Sequence, residues 1–308
     1  MFLVVLGHMC KSGKAASVAT EWIFSFHMPL FVFISGYFTK ITDKKKYLTG
    51  ILNFAETLMV FTLIHVAIIY IKGQNLSVYE LLLCPRWTLW YLLSLIWWRL
   101  MLYYTPSSIR DNHKKLIVVS LVLCLAMGWI PLGYELSFQR TFAFFPFFVI
   151  GYVIGRKNEG IKKHRVYLQF AFLVAIAIVF YVIPIKLTSS FFQCRSYYIG
   201  PSSSPFLNFA FRGGWLFLAG CMSYCFLSLV PRKVYRWTYL GQLTLFIYMY
   251  HAVILSWQNI VIDKFNLPTN LPYWLLYTVI VMGVILLMSK ASFFHWLLNP
   301  ISKFIKKK

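Results

Sequence analysis

The sequence predicts an all-α integral membrane protein of about ten transmembrane helices, the first incomplete. Three observations predict it. Of the 308 residues, 60% are hydrophobic and only 12% charged, more apolar surface than a soluble domain of this length needs to bury. Windows such as Leu116 to Gly133, Leu168 to Ile185 and Tyr273 to Ser289 hold no charge at all. A helix rising about 1.5 Å per residue crosses a hydrocarbon core of roughly 30 Å in such a run. The lysines and arginines, finally, gather in alternate short loops.

Taken in order, the apolar runs and their breakers place spans at 1–10, 22–39, 50–71, 88–104, 116–133, 141–155, 167–185, 207–230, 238–261 and 273–297. The first holds too few residues to cross, so the helix is expected to lack its start. The whole chain, 1–308, reads as one membrane-embedded domain. One set of alternate loops, with Lys40 and Lys44 to Lys46, Arg110 to Lys115, Arg156 to Arg165, Arg232 to Arg236 and the C-terminal tail, carries 19 basic residues against 9 in the other. The richer set marks the cytoplasmic side, which puts the C-terminus inside and His8 toward the outer half of its span. The localisation that follows is a multi-pass protein of the cell membrane, inner or plasma.

The net charge of +22 does not point to nucleic acid, because the basic residues form neither a stripe nor a tail. The six cysteines fall in or beside apolar segments, and although Cys221 and Cys225 share a helix face, no further Cys or His completes a metal set. Buried, inert thiols and no metal are the expectation. The outer stretch from Lys186 to Arg212 is long enough to be a lid or acceptor-binding loop, and equally reads as an ordinary exposed loop.

Ionisable groups inside spans are expensive and ask for a reason. They are His8, His27, Glu56, His65, Arg99 and His251. His8 follows Gly7, and an imidazole in a polar pocket is suited to take a proton, though a histidine at a helix end can also simply cap it near the headgroups. His27 lies two residues before Pro29, which frees a carbonyl near residue 25 that a ligand could use; Ser35 and Gly36 are small enough for tight helix packing. His251, beside Tyr248, falls at a depth similar to His8 and His27, which suggests a shared polar chamber. Glu56 reads as structural, with Lys44 to Lys46 as its partners. Trp87 and Trp90 fit an aromatic belt, or a face on which a sugar ring stacks. Walker, GxSxG and HExxH motifs are absent, and eight acidic residues support a carboxylate-driven pump poorly.

Five stretches together resemble the integral-membrane acyltransferase family three: VVLGH at 4–8, FHMPLFVFISGYF at 26–38, LWYLLSLIWWRL at 89–100, FFPFFVIGYVIG at 144–155 and LGQLTLFIYMYH at 240–251. Within it the chain most resembles the fucose 4-O-acetylase type of polysaccharide O-acetyltransferases. The resemblance implies a ten-helix enzyme that moves an acyl group, usually acetyl from acetyl-CoA on the cytoplasmic side, to a hydroxyl of a glycan or lipid-linked sugar. It implies that acetyl-CoA or another acyl-CoA is a substrate rather than a tightly bound cofactor. His8 matches the family's essential histidine; Phe26, His27, Pro29, Ser35 and Gly36 match a second motif, and Tyr248 and His251 a third. The basic residue that the family carries upstream of the first histidine has no counterpart after Met1, and the Arg-rich pattern that follows the second helix is missing from 44–60. Lys44, Lys45 and Lys46 are the candidates that remain there for CoA phosphates. The rival expectation is a transporter or flippase for a lipid-linked sugar, with the same histidines as a proton relay.

Overall fold

The computed structural model describes residues 1–9, 13–85, 87–130, 135–157, 166–183, 189–194, 203–231 and 233–305. Among these it contains sixteen α-helices and no strand. They are α1 (Phe2–His8), α2 (Lys14–Tyr37), α3 (Lys44–Ile71), α4 (Val78–Leu83), α5 (Leu89–Tyr104), α6 (Ser107–Arg110), α7 (His113–Met127) and α8 (Phe138–Arg156). The second half holds α9 (Val166–Val182), α10 (Ser189–Phe192), α11 (Pro205–Leu229), α12 (Thr244–Leu255), α13 (Gln258–Phe265), α14 (Leu271–Met288), α15 (Ser292–Leu298) and α16 (Pro300–Ile305).

Each of the ten apolar runs contains a helix, but the helices differ from the runs at their ends. Six candidate spans among the described residues are long and apolar enough to cross a bilayer: Lys14–Tyr37, Lys44–Ile71, Glu135–Arg156, Pro205–Leu229, Arg236–Leu255 and Leu271–Met288. The third and fifth of these add a short 3-10 turn to α8 and α12. Helices α1, α5, α7 and α9 have 7, 16, 15 and 17 residues. The run at 50–71 starts earlier than its apolar part because Asp43 caps α3, accepting hydrogen bonds from the Lys45 and Lys46 backbone N–H groups at 2.8 and 3.2 Å. The run at 273–297 breaks in two, since α14 closes at Met288 and α15 opens only at Ser292. Outward faces such as Phe170, Val174 and Ile178 of α9, or Leu275, Leu276, Val279 and Ile280 of α14, are apolar and exposed, as lipid-facing helices require. These apolar helices make the chain a multi-pass membrane protein.

The chain packs as two compact units, each assembled from separate segments. The first comprises Met1–Ser17, Asp43–Ile96 and Lys233–Lys308; the second, Val18–Thr42 and Trp97–Arg232.

In the first unit, α3 is held to the C-terminal helices by polar contacts inside an apolar setting. Thr57 donates to the Leu298 carbonyl at 2.8 Å. Glu56, buried, accepts from the Ile301 and Ser302 backbone N–H groups and, at 2.5 Å, from the Ser302 hydroxyl. This corrects the expected pairing with Lys44 to Lys46. The carboxylate meets the orphan N–H groups of α16 instead, where a helix start favours negative charge. Phe61 packs edge-on against Tyr250, whose hydroxyl donates to the Phe294 carbonyl at 2.7 Å.

The second unit is built around α2 and α8. A Cβ placed on Gly36 would collide with the Phe148 carbonyl, one on Gly151 with the Phe33 carbonyl, and one on Gly155 with the Tyr37 carbonyl. Backbone therefore meets backbone along this seam, as small residues allow between membrane helices. Pro29 cannot donate to the Ser25 carbonyl, four residues back, and the indole N–H of Trp215 donates there instead at 2.9 Å. Trp98 stacks on Phe148 and donates to the Thr141 carbonyl at 2.6 Å.

Candidate functional site

The strongest convergence of costly side chains lies in the first unit. His8 is the last residue of α1 and is half-buried. Its ring faces that of His251 on α12, with centroids 5.8 Å apart and planes tilted by 38°. The His8 carbonyl accepts a hydrogen bond from the Gln258 amide at 3.4 Å, which ties the end of α1 to α13.

His251 is fully buried, and its Nδ1 lies 3.1 Å from the Ile247 carbonyl one helical turn back. A carbonyl can only accept, so Nδ1 carries the proton and the neutral ring keeps its lone pair on Nε2. That nitrogen has no hydrogen-bond partner. Tyr248, one turn before, places its ring 5.5 Å from His251 and 5.1 Å from Tyr91. Its hydroxyl is committed to the Thr88 carbonyl at 2.8 Å, so α12 and the start of α5 are locked together beside the histidines.

A third imidazole belongs to this unit. His65 of α3 is buried, its Nε2 has no hydrogen-bond partner, and its ring stacks on Trp87 at 6.3 Å. Trp87 adopts a left-handed backbone with φ of 49°, rare for a bulky side chain and costing on the order of 1–3 kcal/mol. It is 47% exposed, whereas Trp90 is 8% exposed and turns its edge to Tyr91. Of the two tryptophans, only Trp87 offers an open face.

The other expected residues fall elsewhere. His27, Ser35 and Gly36 belong to the second unit. The His27 Nδ1 donates to the Ile23 carbonyl at 2.8 Å, and its ring packs edge-on to Phe24. Ser35 donates to the Phe31 carbonyl at 3.0 Å, and Gly36 lies in the seam with α8. The carbonyl that Pro29 frees is taken by Trp215, not left for a ligand. Lys44, Lys45 and Lys46 are exposed at the start of α3, where Lys45 and Lys46 line a shallow depression with Asp43, Thr49 and Asn53. Of the proposed lid from Lys186 to Arg212, residues 186–188 and 195–202 lie outside the described residues, while 189–192 form α10 and 205–212 the start of α11; Cys10 and Arg86 also lie outside. Arg140, which the sequence places at an outer boundary, is buried in the second unit, as is Arg212.

Sequence reasoning counted His65 among the ionisable groups inside spans but did not foresee its stacking on Trp87. Its signal was there, an ionisable ring in the apolar run of α3, but rotation about a helix axis is not written in an unbroken run of hydrophobic residues. Among the described residues no group of three His, Cys, Asp or Glu side chains could hold a metal ion.

The family model described as "Acyltransferase domain", of acyltransferase family three, matches residues 1–290 and so runs through both units. No curated protein and no solved structure matches the chain. A match across most of the sequence, over a many-helix membrane architecture, leads to one conclusion: the chain belongs to the integral-membrane acyltransferases of family three.

Proposed function

We propose that the chain is a membrane O-acyltransferase that moves an acyl group, acetyl in this reading, from cytoplasmic acyl-CoA to a hydroxyl of a cell-surface polysaccharide or lipid-linked sugar. The meeting of His8 with His251 inside the matched region is the observation that carries it. The reading includes a single catalytic domain over 1–308 in the cell membrane, and ten crossings, with α1, α5, α7 and α9 completing the six longer ones. Its acceptor class follows the likeness to the fucose 4-O-acetylase type.

His8 acts as general base. It takes the proton of the acceptor hydroxyl as that oxygen attacks the thioester carbonyl; the C–O bond forms, the tetrahedral intermediate collapses, the C–S bond breaks, and the CoA thiolate leaves with the proton that His8 returns. His251 supports this with its unprotonated Nε2, which can accept the hydrogen bond that orients His8 or the acceptor. Tyr248 holds His251 against the start of α5, and Trp87 presents its open face to the sugar ring. His27, Ser35 and Gly36 shape the second unit, and Trp90 backs the first.

The test is transfer of label from acetyl-CoA to candidate glycans in membranes that contain the chain. His8→Ala is expected to lower transfer about 100-fold or more. Undiminished transfer in this variant removes His8 as the base. Movement of lipid-linked sugar across the bilayer without acyl transfer from any CoA donor would establish the transporter instead.

A further inference from the structure

At the end of the α2–α8 seam, the second unit opens into a cavity of about 400 Å³. Lys40 follows α2, Arg156 ends α8, and Arg110 ends α6; all three line the cavity, with Asp111 and Tyr152. Three cations face one carboxylate, which leaves a positive balance of two charges. Two of the three cations have partners that orient them, although the Arg156–Asp111 pair is itself about half exposed. Arg156 is held by Asp111 in an ion pair of 2.7 Å, and Arg110 donates to the Tyr103 carbonyl at 3.4 Å. The hydrogen bond from Arg156, followed by the fields of Arg156, Arg110 and His113, holds the Asp111 carboxyl below its ordinary range, so the pair stays charged at neutral pH. Gly155 forms part of the wall, and its contact with the Tyr37 carbonyl fixes the spacing of the two chain segments that carry Lys40 and Arg156.

An excess of lysine and arginine in cytoplasmic loops needs no ligand to explain it. A half-open cavity in which one guanidinium is held by an ion pair is a different thing. Guanidinium groups and an ammonium around a space of this size suit phosphate oxygens, which take charge-assisted hydrogen bonds from several donors at once. We propose that this cavity binds the phosphate groups of the CoA donor, through Arg156, Arg110 and Lys40. The assignment rests on the acyl-CoA donor of the proposed function and places the phosphates away from Lys44 to Lys46. Anionic phospholipid headgroups present the same chemistry, so the experiment separates the two.

The full chain in nanodiscs of neutral phosphatidylcholine is titrated with CoA, beside the variants Arg156→Gln, Arg110→Gln and Lys40→Gln. Each substitution is expected to weaken CoA about tenfold, the loss of roughly one charge-assisted hydrogen bond. The charge-retaining Arg110→Lys is expected to lose less, and melting temperatures show whether each variant is folded. Unchanged CoA affinity in folded glutamine variants overturns the proposal. So does loss of co-purifying anionic phospholipid from those variants, read by native mass spectrometry, while CoA affinity stays at the wild-type value. Transfer activity separates this site from the reading it rests on. A chain that binds CoA through these residues yet transfers no acyl group sinks the proposed function and supports the site; full transfer with unaltered CoA affinity in the triple variant does the reverse.

Discussion

Tyr248 shows how one hydroxyl can matter more for place than for chemistry. Its proton goes to the Thr88 carbonyl, so it is not available to a substrate, yet its ring touches both Tyr91 and His251. Tyr248→Phe leaves that buried carbonyl without this donor, at a cost of about 1–3 kcal/mol. The expected outcome is a lower melting temperature with a fall in transfer rate smaller than that of His8→Ala; equal losses in the two variants would make Tyr248 part of the chemistry. At this scale much of the site was legible. His8 and His251 announce themselves as ionisable rings in apolar runs, which the hydrocarbon makes costly. Their meeting was not legible, because nothing in the sequence fixes how α1 and α12 are rotated. The stacking of His65 on Trp87 was not legible for the same reason, and the partner of Glu56 lies 245 residues away.

Helices were easier to foresee than their ends. An apolar run marks where a helix is favoured in lipid, but capping groups and local turns decide where it stops. Asp43 extends α3 back to Lys44, and the polar break at residues 289–292, which holds Lys290, splits the last run. The seam between α2 and α8 gives this scale its sharpest expectation. Gly151→Ala drives a methyl into the Phe33 carbonyl, and overpacking of this kind typically costs 1–3 kcal/mol, more when backbone must move. Gly213→Ala on α11 meets nothing within 4 Å and serves as the control. Folded yield in detergent, read by size-exclusion chromatography and thermal unfolding, is expected to drop for Gly151→Ala alone. Equal yields would mean that α2 and α8 stand further apart than described.

For the molecule as a whole, the charge asymmetry of the loops makes a claim about orientation. Reporter fusions after Lys308 are expected to report a cytoplasmic end, and a fusion in the Asn266–Asn270 turn between α13 and α14 an outer one. The same side for both would remove the crossing by α14. Fold class and the order of spans could be read from composition and charge, because the bilayer imposes length and apolarity on any crossing helix. The division into two interleaved units could not, since it depends on which faces pack, and nearly uniform apolar runs show no preferred face.

The glycine seam has a consequence for motion. Side chains can absorb a shift between helices by changing rotamers, but α2 and α8 touch at Gly36, Gly151 and Gly155 through main chain alone. Sliding or parting there would trade close contact for voids that neither lipid tails nor neighbouring residues fill without rearrangement. Any motion within this unit is therefore expected to carry these two helices as a single strut, which keeps the gap between Lys40 and Arg156 constant.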